Sequence, residues 1–203
     1  MVSAPRIGVL ALQGDFARHA AALARCAAEA VEVRKPAQLG DVDGLIIPGG
    51  ESTTLLRLMD EWRFGPVLEA FHRAGKPIFG TCAGLILLAR DVENPRQLSL
   101  GFLDVTVERN AYGRQRESFE AAGQAVLDGR PTPLEMVFIR APRIRRVGPA
   151  VETLARHGEE PVLVQQGTVL GGTFHPELTD EPAVHRHFCE MVSRRRAALP
   201  VAR

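Results

Sequence analysis

The stretch PIFGTCAGLILLA, residues 77–89, sets a cysteine between two glycines, where a short apolar run meets a run with helical spacing. KPIFGT (76–81) reads as a strand and AGLILLARD (83–91) as a helix. Gly80-Thr81-Cys82-Ala83-Gly84 between them has the form G-x-C-x-G, the cysteine counterpart of the strand–turn–helix nucleophile elbow. Glycines are needed there because side chains would strike the neighbouring strand and helix. The turn lifts the Cys82 side chain over the C-terminal edge of the sheet, where open α/β sheets bind ligands. A helix N-terminus also favours the thiolate. Taken alone, the motif reads equally as a helix start holding a small buried residue.

Working outward, RIGVLAL (6–12) and DGLIIP (43–48) are further buried-strand candidates, and VEVRK (31–35) alternates. FARHAAALARCAAEA (16–30) and LLRLMDEW (55–62) have helical spacing. This β-α-β alternation over the first 90 residues predicts a parallel sheet with helices on both faces. Downstream, LDVTVERN (103–110), SFEAAG (118–123), LEMVFIRAP (134–142), AVETLARH (150–157), PVLVQQG (161–167) and TVLGGTFHP (168–176) read as short strands. They predict an antiparallel or mixed extension of the same sheet. EPAVHRHFCEMVSRRRAAL (181–199) reads as a closing helix with Pro182 in its first turn. With no internal repeat, low-complexity tract or linker, residues 1–203 are expected to form one domain.

Bulk properties narrow the class. A net charge of +1 gives no electrostatic reason to bind nucleic acid, and the basic run Arg194-Arg195-Arg196 reads as a solvated helix end. No segment has the roughly 18 apolar residues a membrane span needs, and the N-terminus shows no signal peptide. Cys26, Cys82 and Cys189 are odd in number and widely spaced. That argues against a disulfide framework and for a reducing, cytoplasmic setting. Cys26 and Cys189 fall in helical runs as core or half-buried thiols. His185 and His187 lie two apart on a helix, hence on different faces, which argues against a metal site. The sequence reveals no partner for His19, His72 or His157.

A cysteine nucleophile needs a base, and the base needs an orienting group. TFHPELT (173–179) offers both in His175 and Glu177. In an extended segment, held so by Pro176, residues two apart point the same way. Glu177 could then fix the tautomer of His175 and leave its other nitrogen for Cys82. PGGEST (48–53), after the strand DGLII, frees backbone N–H groups beside the strand that carries Cys82. Such donors suit an oxyanion. The same stretch lacks the lysine of a P-loop and the spacing of a dinucleotide fingerprint.

An elbow cysteine, a downstream His-Pro-Glu and an upstream Pro-Gly-Gly together resemble the class I (triad) glutamine amidotransferases. GVLALQGD, LIIPGGESTT, FGTCAGLILLA, VERNAYGRQRESFEA, VFIRAP and GGTFHPELT narrow the resemblance to the glutaminase subunits of pyridoxal 5'-phosphate synthase, over about Arg6 to Val192. The resemblance implies an α/β, three-layer class I glutamine amidotransferase (flavodoxin-like) fold. Its central sheet would be mostly parallel with an antiparallel extension, and its nucleophile elbow would lie at Cys82.

It further implies that Cys82 attacks the side-chain amide of L-glutamine, His175 handles the proton and Glu177 orients His175. A glutamyl thioester is then hydrolysed to glutamate and ammonia. The implied glutamine-binding residues are Gly50, Glu51, Ser52, Arg109, Ile139 and Arg140. Candidate oxyanion donors are the backbone N–H groups of Gly49, Gly50 and Ala83, with Gln13 nearby. Arg109 and Arg140 could instead be surface ion pairs, and Glu51 a helix-start carboxylate. No cofactor or metal is called for. Ammonia freed into water is protonated and lost as a nucleophile, so a partner must hold the acceptor site. In the family that partner is a (β/α)8-barrel synthase subunit fed through an internal channel. The nearest alternative is the glutaminase subunit of another amidotransferase, such as imidazole glycerol phosphate synthase, which should lack GGESTT and RNAYGRQ.

Overall fold

The structure, a computed structural model, describes residues 4–109 and 118–198. In chain order its elements begin with β1 (Arg6–Leu10), α1 (Phe16–Arg25), β2 (Glu29–Val33), β3 (Gly44–Ile47), α2 (Ser52–Glu61), α3 (Phe64–Arg73), β4 (Ile78–Thr81) and α4 (Ala83–Leu88). There follow β5 (Ala89–Glu93), β6 (Leu103–Glu108), β7 (Ser118–Leu127), β8 (Arg130–Ile139), β9 (Arg143–Val147), β10 (Glu152–His157), β11 (Glu160–Gln166), β12 (Val169–Gly172) and α5 (Ala183–Ala197).

The unbroken apolar runs form the middle of a nine-stranded sheet of order β2-β1-β3-β4-β12-β11-β10-β7-β8. From β2 to β12 neighbours are parallel, and from β12 to β8 they are antiparallel. β3, β4 and β12 are buried along their whole length because both faces are covered. Ile46, Phe79 and Leu170 pack with Leu23 of α1 and Phe188 of α5. Leu45, Ile78 and Val169 pack on the opposite face with Leu55 of α2, Phe64 of α3 and Leu85 of α4. Alternate residues of one strand thus feed two cores, and the result is three layers. Among the described residues no helix is long and apolar enough to cross a membrane.

Several local expectations are corrected. The helix expected over 83–91 stops at Leu88, and Ala89–Glu93 is a strand paired with β6. The six residues of α4 are all buried, whereas ARDVE buries only Ala89 and Val92, so the continuous apolar run ends where the helix does. β6 does not extend the main sheet either. It joins β5 and β9 in a separate three-stranded sheet whose Val92, Val105, Val107 and Ile144 close the core over α4. The helix expected over 16–30 ends at Arg25, since Ala27 turns left-handed and Glu29 must enter register with Arg6. The strands expected over 118–123 and 134–142 are one longer hairpin. Asp128 and Gly129, both at positive φ, form its two-residue turn. Pro131 and Pro133 are tolerated in β8 because it is an edge strand. α3 is an element the sequence does not single out, because Gly65-Pro66 in its first turn hides the buried stripe Phe64, Leu68, Phe71.

Candidate active site

Three parallel neighbours, β3, β4 and β12, end at the same edge of the sheet, and each delivers one part of the site. β4 delivers Cys82, which sits at φ 47° and ψ −102°, a backbone state that L side chains rarely adopt. Its surroundings hold it there. The Cys82 N–H donates to the Gly172 carbonyl at 2.8 Å, and the Cys82 carbonyl accepts from Ile86 N–H at 3.1 Å. A Cβ on Gly80 would lie 2.6 Å from the Gly84 carbonyl, and one on Gly84 would lie 2.0 Å from the Ile47 oxygen. Both glycines of the motif are therefore fixed by close backbone approach.

β12 delivers His175 and Glu177. The His175 N–H donates to the Val137 carbonyl at 2.8 Å, and its Nδ1 is 2.7 Å from Glu177 Oε1. The sequence predicts this pairing through an extended segment. Instead Pro176–Leu178 is a 3-10 turn, with the proline where no N–H is needed. The His175 ring and the Cys82 side chain come together beside Gly49, close enough for the thiol to act on the ring. Burial works against the charged ring, but Cys82 and Glu177 outweigh it and push the pKa of His175 up to about 10. Burial alone would raise the Glu177 carboxyl, yet the facing His19 and His175 hold it below the usual carboxylate range.

β3 delivers the glycine turn. A Cβ on Gly49 would fall 2.4 Å from His175 Cε1 and 3.4 Å from Cys82 Cβ, so only glycine lets ring and thiol meet there. Gly50 has φ 150°, and a Cβ on it would strike the Gln13 carboxamide. Gln13 Oε1 accepts the Glu51 N–H at 2.9 Å. Glu51 is the N-cap of α2, accepting from Thr53 N–H at 3.2 Å and Thr54 N–H at 2.7 Å. The bonds from Thr53 foremost bring its carboxyl down to about 2. The Ala83 N–H, at the first position of α4, has no partner within that helix.

Cys82 and His175 open into a cleft of about 430 Å³, within the size range of small-molecule sites. Gly50, Glu51, Ser52, Arg109, Ile139 and Arg140 all line it, and Glu177 is buried behind His175. Arg109 Nη2 is 3.6 Å from Glu51 Oε1, so the wall carries both signs of charge. Ser52 Oγ donates to Gln97 Oε1 at 3.0 Å. Arg140 is exposed at φ 43°, and the Ile139 carbonyl lies 4.0 Å from Cys82 Sγ. The Asn110, Tyr112 and Gly113-Arg114-Gln115 portion of the expected motif lies outside the described residues. Two histidines to which the sequence assigns no role, His19 and His185, are fully buried behind Glu177. The spacing carries a signal for both. His19 shares a buried helical stripe with Ala22 and Leu23, and His185 with Phe188, Cys189 and Val192.

A thiol against an imidazole, a carboxylate on the far nitrogen and a charged cleft form an arrangement suited to acyl transfer from a small zwitterion. Comparison with known proteins gives the same class. A 54% identical relative is the pyridoxal 5'-phosphate synthase subunit PdxT of Koribacter versatilis, with 92% of this chain and 95% of that protein aligned. A crystal structure of a glutamine amidotransferase superposes with a TM-score of 0.85 at 49% identity, covering 92% of this chain and 98% of the other. The structure of PurLQS from Thermotoga maritima, 16% identical, shares the fold with a TM-score of 0.65 over 95% of this chain and 97% of its own. Residues 9–194 match the SNO glutamine amidotransferase family, and the chain belongs to that family.

Proposed function

We propose that this chain is the glutaminase of pyridoxal 5'-phosphate synthase, with Cys82, His175 and Glu177 as its catalytic triad. One observation carries the reading: the ends of β4 and β12 bring a thiol, an imidazole and a carboxylate together beside the glycine turn after β3, at a cleft of mixed charge. The Cys82 thiolate attacks the side-chain carbonyl of glutamine. His175, holding the proton, gives it to the departing nitrogen as the C–N bond breaks, and ammonia leaves. Water then attacks the thioester, the C–S bond breaks, and its proton returns to the Cys82–His175 pair. The sum is glutamine plus water to glutamate plus ammonia. The N–H groups of Ala83 and of the Gly49-Gly50 turn face the oxyanion of each tetrahedral intermediate. Arg109 and Arg140 take the substrate carboxylate, and Glu51 its ammonium, while Ser52 and Ile139 complete the pocket. The whole chain acts as one domain in the cytoplasm.

The partner receives the ammonia. In this reading it is a (β/α)8-barrel synthase subunit docked over the cleft. The relative's name supports the synthase, and the resemblance of the sequence supports the barrel. Glutamate release should be measured with and without an added pyridoxal phosphate synthase subunit. The expected outcome is a rate that rises with the synthase. A rate indifferent to it would remove the partner, and no glutamate in either case would remove the glutaminase.

A further inference from the structure

The Cys82–His175–Glu177 line does not end at Glu177. Its Oε1 accepts from His175 Nδ1, while its Oε2 is buried and, among the described residues, receives no hydrogen bond of ordinary geometry. The group facing Oε2 is His19 Nε2, at 3.4 Å. The same nitrogen lies 3.3 Å from Thr81 Oγ1, on the residue before Cys82. His19 Nδ1 lies 2.9 Å from His185 Nε2 on α5. Both rings are fully buried, and the other nitrogen of His185 has no polar partner among the described residues.

The proton positions follow from what each buried atom needs. A buried carboxylate oxygen needs a donor, and a buried N–H without an acceptor is costly. A proton on His19 Nε2 is shared between Thr81 Oγ1 at 3.3 Å and Glu177 Oε2 at 3.4 Å, the second contact lying outside ordinary hydrogen-bond geometry. His19 Nδ1 is then a bare acceptor, and His185 Nε2–H donates to it. The leftover atom, His185 Nδ1, then carries no proton, which is the cheaper way to leave it. The opposite tautomers would point a lone pair at the carboxylate and strand an N–H at His185 Nδ1.

We propose that His19, backed by His185, is a positioning residue for the reaction: its Nε2–H holds Glu177 Oε2 and so fixes the carboxylate that orients His175. This rests on the glutaminase reading above. Burial disfavours the charged form of both rings, lowering His19 and taking His185 down to about 3, which favours His19 as a fixed N–H dipole over a second cation. A cation there would compete with the imidazolium of His175 for the same carboxylate. The charged groups acting on His19 are Glu177 and His175 from the turn after β12, together with Asp15 before α1; His19, Glu177 and Arg25 act on His185.

Glutamate release by the complex with the synthase tests this in wild type, His19→Leu and His19→Gln. Leucine removes the donor, while the Gln carboxamide can still present an N–H to Glu177. His19→Leu is expected to lower kcat roughly ten- to a hundredfold with KM little changed, and to move the acid limb of kcat/KM to higher pH. His19→Gln should restore most of both. A folded His19→Leu with wild-type kcat and an unmoved acid limb would overturn the proposal, as would equal loss in both variants with no shift of that limb. Should the leucine variant not fold, nitrogen NMR of ring-labelled wild type decides. A protonated Nε2 and bare Nδ1 on His19 are expected, and the reverse overturns the proposal. Wild type active while these expectations fail sinks this inference alone, whereas an inactive wild-type complex sinks the glutaminase reading with it.

Discussion

His175 and His185 are both buried imidazoles within one cluster, yet their pKa values move in opposite directions. Burial opposes the charged form of both. His175 nevertheless rises to about 10 and His185 falls to about 3. The difference lies in what each ring meets. His175 has a carboxylate at 2.7 Å on one nitrogen and the Cys82 side chain close by. Among the described residues the hydrogen-bond partner of His185 is another buried histidine, 2.9 Å away. Burial therefore decides the state of His185 but is outweighed at His175. It amplifies whatever partner is present, because the low dielectric strengthens a pairing and penalises a lone charge alike. The open side of Glu177 holds a ring ready to carry a proton, and its sealed side holds rings that refuse one.

The largest break of this contrast is Glu177→Gln. It keeps the shape and removes the charge that outweighs burial at His175. Glutamate release should fall by on the order of 10³-fold or more, as when the orienting carboxylate of another triad is neutralised. The His175 pKa, followed by NMR, should fall well below about 10. A loss of less than tenfold would mean that Glu177 is not what sets His175 apart from His185. Gly49→Ala is a smaller and more local disturbance. Its Cβ would fall 2.4 Å from His175 Cε1, on a face that neither His19 nor His185 shares. Overpacking of that kind costs about 1–3 kcal/mol. The expected result is a folded protein with impaired glutaminase, a displaced His175 resonance and unchanged His185 signals. Movement of both histidines together would show that they behave as one unit.

How far the sequence reveals this molecule follows from the same physics. β3, β4 and β12 are legible because strands buried on both faces must be apolar throughout. Cys82 is legible because its turn forces glycine at two fixed positions. His175 and Glu177 are legible because they are two residues apart, although their pairing uses a 3-10 turn rather than an extended segment. The small sheet is not, because Ala89–Glu93 continues a helical run without punctuation and its partner Leu103–Glu108 reads as any edge strand would. His19 and His185 stand 166 residues apart. Each looks like one polar residue on an apolar stripe, and only the fold makes them a pair.

The finest test of the contrast is the pH dependence of stability, where the two sites act on opposite sides of one pH. His185 and His19 have folded pKa values below the ordinary histidine value of 6.5. Below pH 6.5 the unfolded chain therefore binds more protons than the folded one, and their contribution is lost as pH falls. His175 has a folded value of about 10. Its contribution is fully present below pH 6.5 and is lost as pH rises from there toward 10. Glu177, lowered from 4.5, adds a further loss only below pH 4.5. These groups together predict a maximum near pH 6.5, with an acid limb owned by the sealed pair and an alkaline limb owned by His175. Each fully titrating histidine steepens its limb by up to about 1.4 kcal/mol per pH unit. Denaturant midpoints from pH 5 to 9 should show His185→Leu flattening the acid limb alone and Glu177→Gln flattening the alkaline one. An acid limb as steep in His185→Leu as in wild type would place the protons taken up on unfolding elsewhere, and the division of labour across Glu177 would fail with it.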